Sequence, residues 1–491
     1  MRRIFKQPWF FLGLILLLAL GLRWYKIDIP LADHHSWRQA DTAAVARNFI
    51  KEGFDFLHPR IDNMAPISKE MVFNPQRYFL VEPPIYQTLV AGVYALFGVQ
   101  EKLARLVTIG FSLGAIIFLF LLVRKLVDQR IALLAAFFMA ILPYSIYYSR
   151  VVLPDAEMLF TSITMLYFFI LWLEKQTWRR FGLAVFFAAW ALTLKMFPLF
   201  LGIPLFYLVW RQWGFNFLRQ KKLYLFLFLA FLPLVAWRIW ISQFPEGIPA
   251  STWLFNLYGI RFRPAFFRWI FAERIGKLIL GYWGLPLLVL GLMLKTKKKE
   301  GWFFHWWLLA FLVYVTVFAT GNVTHDYYQI PFIPMAAVFL AKGTDWLLKA
   351  SKQSFSKMVS YLLIAICILF MFGFSWYEIE SFYLIQGGVD LAGLAVDELL
   401  PQDALILTGD SNDATLLYNT NRYGWAGGYA SNIPNEKEAF NKARERGAEY
   451  YVTTKVNELK STEFGQFLFN ESKLIKETDQ YVIFDIRLNR Q

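Results

Sequence analysis

The feature that most constrains this chain is a succession of apolar runs, each near the length that crosses a lipid bilayer. A hydrocarbon core of roughly 30 Å needs about 20 apolar residues in a helix. That ruler gives about eleven spans, near residues 8–26, 101–123, 131–149, 156–173, 181–196, 198–211, 223–243, 276–294, 302–320, 328–348 and 358–376. The fifth and sixth are divided by little more than Phe197 and Pro198. Composition agrees: 57% of the 491 residues are hydrophobic against 18% charged, and 50 Phe with 19 Trp supply rings for the lipid and for its two interfaces. The first run follows Arg2, Arg3 and Lys6 but continues through LGLRWYKI without a small-residue cleavage pattern, so it reads as a retained anchor. The single Cys367 lies in an apolar run, which excludes an intrachain disulfide framework and paired-thiol chemistry.

Charge sets sidedness. With the amino terminus in the cytoplasm, alternate connections read VRKLVDQR, LEKQTWRR, RQWGFNFLRQKK, KTKKKE and KASKQSFSK, and they hold most of the short-loop Lys and Arg. Positive-inside bias therefore predicts a multi-pass protein of the cell membrane with its carboxyl terminus outside. The formal charge of +14 is accounted for by topology and contact with anionic lipid, and nucleic-acid binding is not expected.

Two polar regions fall on the outer face. Residues 28–100 form a long loop with helical patterning in ADTAAVARNFIKEG and in PPIYQTLVAGVYALFG, the latter short for a full span. After residue 378 the helix-like VDLAGLAVDELL and NEKEAFNKARERGA alternate with the strand-like ALILTG, EYYVTT and YVIFDIRL. The expected architecture is an α-helical polytopic membrane domain, residues 1–378, followed by a small extracytoplasmic α/β domain, residues 379–491. NRYGWAGGYA gives a loop signal without phosphate-loop spacing.

Sidedness gathers scattered polar residues on one face. The outer side receives Asp33, His34, His35, Arg38 and Asp41 in PLADHHSWRQADTAAVARNF. It also receives Glu82 in VEPPIYQ, Arg150 and Asp155 in YYSRVVLPDAE, Lys195 at the end of a span, and His325, Asp326, Tyr327 and Tyr328. Four of the five His lie there, and such convergence predicts a polar cavity at the outer membrane boundary. Each residue also has a plainer role. Arg38, Asp41 and Arg47 suit pairing along one amphipathic helix, and Asp155 after Pro154 suits a helix cap. Lys195 suits snorkelling, the His325–Tyr328 run an interfacial anchor, and Glu82 a turn. His58 and His305 read as structural, and the NVT and NES triplets carry no weight alone.

Taken in order, DHHSWRQADTAAVARNF, VEPPIYQTLVAGVYALFG, EKLARLVTIGFSLGA, SRVVLPDAEMLF, ALTLKMFPLF and THDYYQIPFIPMAA resemble the GT-C membrane glycosyltransferases. The resemblance is to the broad family of protein O-mannosyltransferases and of the enzyme that adds aminoarabinose to lipid A, and it runs from Leu31 to about Leu348. It implies a GT-C architecture, an acidic catalytic base in the first outer loop, a donor site at the segment like VEPPIY, and a carboxylate matching Asp155 beside it. The chain departs from the pattern at one point. The family's Asp-Glu pair lies about nine residues before an Ala-Arg pair, whereas counting back from Ala46 and Arg47 reaches Arg38 and Gln39. The base is therefore displaced, with Asp41, one helical turn after Arg38, favoured and Asp33 second.

The expected chemistry moves a sugar from a polyprenyl-phosphate donor to a lipid, glycan or protein acceptor. The aspartate takes the acceptor proton, Arg38, Arg150 and Lys195 stabilise the departing phosphate, and Glu82 and Asp155 orient sugar hydroxyls. Tyr327 and Tyr328 supply an apolar face. The resemblance implies inversion at the anomeric carbon. No cofactor is required, although His34, His35, Glu82 and His325 raise a divalent metal; adjacent His reach one ion only from a loop. The main rival is a transporter or flippase of lipid-linked sugars, which needs a polar path from both sides and repeated halves that the sequence does not show. A scaffold whose tail binds outer-compartment partners is a second rival.

Overall fold

The computed structural model describes residues 7–350, 356–410, 413–427 and 436–487. The amino-terminal Arg2, Arg3 and Lys6, the middle of the KASKQSFSK run and the end of the NRYGWAGGYA loop lie outside the described residues. The chain divides into two compact units. The first comprises the described residues up to Ile27, Arg105–Ile239 and Ser251–Phe382; the second comprises Asp28–Ala104, Trp240–Ala250 and the described residues from Tyr383.

The first unit holds the apolar helices of a multi-pass membrane protein. Lipid offers no partner for a backbone amide, so an apolar segment closes its hydrogen bonds within itself, and every apolar segment named above contains helix. Glu101–Leu126, Asp155–Glu174, Lys221–Ile241 and Lys357–Tyr383 are continuous, long and apolar enough to cross a bilayer. Other segments are broken. Pro143 separates Gln129–Ile141 from Pro143–Tyr148, and Phe197–Phe200 intervenes between Trp178–Leu194 and Gly202–Trp213. A π-helix, Arg268–Ile279, precedes Leu285–Met293. Helices approach closely where glycines face one another: a Cβ on Gly291 would lie 1.9 Å from the Phe339 carbonyl oxygen, and one on Gly343 2.1 Å from that of Leu287. Without a hydrophobic drive between helices in lipid, such backbone proximity is what dispersion needs.

The second unit is built on a five-stranded sheet of order β2-β1-β3-β5-β4, where β1 is Leu405–Thr408, β2 Tyr423–Trp425, β3 Tyr450–Thr453, β4 Lys473–Glu477 and β5 Val482–Asp485. β1 pairs in parallel with β2 and β3, and β5 lies antiparallel between β3 and β4. Alternate residues face opposite sides. Ile406, Val452 and Ile483 join Val389, Ala392 and Val396 of helix Val389–Leu399. Leu407, Tyr451 and Phe484 join Phe440 and Ala443 of helix Glu436–Glu445. The strand-like and helix-like patterns of the tail correspond to β1, β3, β5 and these two helices. Tyr423–Trp425 in the expected loop instead forms β2, because Gly424 at φ +152° lets it press against β1, where any Cβ would meet the Ile406 carbonyl at 1.8 Å.

Both cores also contain residues of the 28–100 stretch, Ala32 in one and Ala65 in the other. Backbone bonds accompany them: Gln386 N–H donates to the Ala32 carbonyl at 2.8 Å, and Met64 N–H to that of Gly424 at 2.7 Å. The stretch carries two helices, Ser36–Lys51 and Ile85–Phe97. At about 1.5 Å per residue, the 13 residues of the latter fall short of a bilayer core.

Candidate active site

Of the twelve residues singled out, Asp33, His34, His35, Arg38, Asp41 and Glu82 fall in the second unit, and Arg150, Asp155, Lys195, His325, Tyr327 and Tyr328 in the first.

In the second unit, the backbone of His35 takes a left-handed turn at φ 53°, which redirects the chain into helix Ser36–Lys51. His34 and His35 therefore precede the helix, with ring centroids 4.1 Å apart. The buried Asp33 accepts a hydrogen bond from Gln39 Nε2 at 2.8 Å. Arg38 reaches Glu82, Nη2 to Oε1 2.9 Å, and its guanidinium lies 4.9 Å over the Phe79 ring. Glu82 precedes Pro83 and Pro84, which stiffen the entry to helix Ile85–Phe97.

The Asp41 carboxylate, one turn beyond Arg38 on helix Ser36–Lys51, makes no side-chain hydrogen bond or ion pair with another described residue and keeps part of its surface open. Burial lifts its pKa from 3.8 to about 7, with Arg38 pulling it back down and the Asp413 and Asp62 carboxylates adding to the rise. A carboxyl group so placed is half-ionised near neutrality, the condition for moving a proton in either direction. Arg47, further along the helix, is committed elsewhere: it pairs with Asp62 and donates to the Tyr418 carbonyl at 3.0 Å.

In the first unit, Pro154 starts helix Asp155–Glu174 with Asp155 in its first turn, and Lys195 stands at the end of helix Trp178–Leu194. The two meet, Lys195 Nζ lying 3.5 Å from Asp155 Oδ2. The helices are also tied by Trp190 Nε1, which donates to the wholly buried Glu157 at 2.7 Å. Lys195 Nζ stands 5.8 Å over the Tyr327 ring, and Tyr327 stacks on His325 and packs edgewise on Tyr328. Arg150 is wholly enclosed; it donates to the Lys26 carbonyl at 2.9 Å and lies 5.5 Å over Tyr147.

Asp326, which the sequence places on the outer face without a role, gathers three residues that the sequence did not single out: Tyr144, Tyr148 and Arg274. Asp326 accepts from the Tyr148 hydroxyl through its carboxylate and from Tyr144 through its carbonyl, and Arg274 Nη1 stands 3.6 Å from its Oδ2. The position of Asp326 within HDYY and of Tyr148 before Ser149-Arg150 was a usable signal; Arg274 offered none. His58 hydrogen-bonds Asp55 at 2.8 Å and His305 the Leu292 carbonyl at 3.1 Å, both local structural contacts. Asn322 of the NVT triplet is fully buried.

The sequence pattern of the dolichyl-phosphate-mannose-protein mannosyltransferase family matches residues 81–240. The fold is shared with ArnT from Cupriavidus metallidurans bound to undecaprenyl phosphate, at 15% identity and TM-score 0.68, covering 96% of this chain and 97% of that one. It is shared also with the Archaeoglobus fulgidus oligosaccharyltransferase in complex with Zn and sulfate, at 14% identity and TM-score 0.58 over 90% and 68% of the two chains. A third structure, archaeal oligosaccharyltransferase AglB from the same organism with an inhibitory peptide and a dolichol-phosphate, aligns at 13% identity and TM-score 0.57 over 99% and 75%. No curated protein matches in sequence. The chain thus resembles GT-C glycosyltransferases of the mannosyltransferase and ArnT type.

Proposed function

We propose that the protein is a membrane glycosyltransferase that moves a sugar from a polyprenyl-phosphate donor to an acceptor hydroxyl or similar nucleophile on the non-cytoplasmic side of a cell-envelope membrane. The isoprenoid tail stays in lipid while phosphate and sugar sit at the outer boundary, so no nucleotide crosses the membrane. In this reading the chain crosses about eleven times with its amino terminus in the cytoplasm, and every proposed site residue lies within residues 1–378, ahead of an extracytoplasmic domain of residues 379–491.

Asp41 is the general base. It removes the acceptor proton as the oxygen attacks the anomeric carbon, and direct attack inverts configuration. Asp33 is the lesser candidate because its carboxylate already accepts from Gln39. Lys195 and Arg38 neutralise the charge that grows on the departing phosphate, and Arg150 adds its field from within the protein. Glu82 and Asp155, each held by a cation, orient sugar hydroxyls, while His325, Tyr327 and Tyr328 offer ring faces and hydrogen bonds. The chemistry requires no cofactor. Where a divalent ion binds, His34 and His35 are the donors in the second unit, because both stand ahead of the helix rather than on it.

The observation that carries the reading is Asp41: a carboxylate with a pKa of about 7 and no ion-pair partner among the described residues, set in the stretch that precedes the family match. The test is a mass spectrum of envelope glycans and glycolipids from cells with the protein, without it, and with Asp41→Asn at normal level. The reading expects one sugar mass lost from one molecule in both deficient strains; identical spectra from all three overturn it.

A further inference from the structure

In the second unit a cavity of about 460 Å³ opens among Arg47, Lys51, Glu101, Tyr418, Asn419 and Asn421, with Ile50 and Val99 at its edge. Three stretches distant in sequence build it: the end of helix Ser36–Lys51, the start of helix Glu101–Leu126, and the turn after helix Thr415–Asn419. The turn is fixed from several directions. Arg47 donates to the Tyr418 carbonyl at 3.0 Å, Lys51 Nζ to that of Asn421 at 3.3 Å, and Asn419 Nδ2 to that of Leu31 at 3.1 Å. Asn421 itself is held at φ 52°, a conformation that asparagine tolerates better than most residues.

The lining has a particular chemistry. The Arg47 guanidinium lies 4.1 Å over the Tyr418 ring and is already neutralised by Asp62. Glu101 accepts from the Tyr418 hydroxyl at 3.4 Å, and neither Glu101 nor Lys51 has an ion-pair partner among the described residues. The cavity therefore offers an ammonium and a carboxylate beside the amide groups of Asn419, whose Nδ2 is already held by the Leu31 and Thr415 carbonyls, and of Asn421, bounded by half-open Ile50 and Val99. An inorganic anion gains little where a carboxylate shares the wall, and an acyl chain would strand the polar groups. A polyhydroxylated ligand suits it, because each hydroxyl both donates and accepts and the C–H faces of a sugar ring meet the apolar edge. The volume falls within the range of about 300–1,000 Å³ typical of small-molecule sites.

We propose that this cavity is a saccharide-binding subsite that holds part of a glycan acceptor. The proposal rests on the transferase reading for its role but not for its occupancy. Asp41 and Arg47 lie six residues apart on one helix, about 9 Å along its axis and about 120° around it, so the subsite borders the helix that carries Asp41 without including it.

Binding is measured without any donor, on full-length protein in lipid nanodiscs, by saturation-transfer NMR and titration with cellobiose, lactose and N,N′-diacetylchitobiose; inorganic phosphate serves as competitor. At least one disaccharide is expected to bind, Lys51→Gln and Glu101→Gln to weaken it tenfold or more, and phosphate not to displace it. Both cavity variants alter partly exposed side chains, and their thermal unfolding is recorded to show that the fold is kept. No binding by the three sugars, binding indifferent to both variants, or displacement by phosphate overturns the subsite. Loss of transfer with disaccharide binding intact counts against the transferase reading alone.

Discussion

Arg38 and Glu82 form a buried ion pair, Nη2 to Oε1 2.9 Å with both side chains 8% exposed, that fastens helix Ser36–Lys51 to the loop ahead of helix Ile85–Phe97. Two charges out of water hold each other, and breaking such a pair costs up to about 3–5 kcal/mol. Glu82→Ala is expected to lower unfolding free energy by up to that order, less whatever Arg38 keeps from the nearby Asp41. Adding Arg38→Met to it is expected to recover part of the loss, since the second change removes a buried cation that has lost its Glu82 partner. Denaturant unfolding of the single and double variants reads the coupling, and additive losses contradict it.

Asp41 gives a pH dependence whose sign is fixed. Base catalysis needs the carboxylate, so transfer is expected to rise with pH through about 7 and level off above. Stability moves the other way. The folded-state pKa lies above the ordinary 3.8, so between 3.8 and about 7 the folded state holds a proton that the unfolded chain has released. The contribution of Asp41 to stability is therefore present below that window and is lost as pH rises across it. Asp41→Asn is expected to flatten the slope and to cut the rate by roughly 10²–10⁴. A pH–rate profile and a pH series of unfolding midpoints check both.

In the proposed reading Lys195 meets the donor phosphate; its ammonium, 20% exposed, stands 3.5 Å from Asp155 and over the Tyr327 ring. A charge-assisted contact contributes about 1.5–3 kcal/mol. Lys195→Met is thus expected to weaken polyprenyl-phosphate binding roughly 10- to 150-fold by the same energies, with Lys195→Arg recovering part. Titration with the polyprenyl phosphate alone measures it.

Trp190 and Glu157 fix the two helices that carry this pair. Trp190→Phe keeps the ring but removes the donor to a carboxyl group that is wholly buried, and leaving such a group unsatisfied costs about 1–3 kcal/mol. A lowered unfolding temperature in detergent is expected, and Glu157→Leu in addition is expected to restore much of it.

The helical segments were legible because lipid imposes a single length and a single backbone solution on an apolar run. Their interruptions were less so: Pro143 announces a break, but the π-helix at Arg268–Ile279 arises from packing that no local pattern encodes. The tail showed three of its five strands. β2 hid in a loop signal because Gly424 is used for close approach to β1 rather than for a turn. The union of residues 28–104 with the tail was not legible either, since contacts such as Arg47 to Tyr418 join positions 371 residues apart. Charge and sidedness single out Arg38, Glu82, Asp155 and Lys195, but not the pairs Arg38–Glu82 and Asp155–Lys195 that the fold makes of them. The raised pKa of Asp41 comes first from burial, with Asp413 and Asp62 adding to it, and only the folded chain supplies either.

The most direct measurement follows a labelled sugar in proteoliposomes that contain purified protein, a polyprenyl-phosphate sugar donor and an envelope extract as acceptor source. The account predicts that label leaves the polyprenyl carrier for an acceptor molecule with the native chain and stays on the carrier with Asp41→Asn. Label that crosses the bilayer while remaining on its carrier, or transfer undiminished by Asp41→Asn, would contradict it.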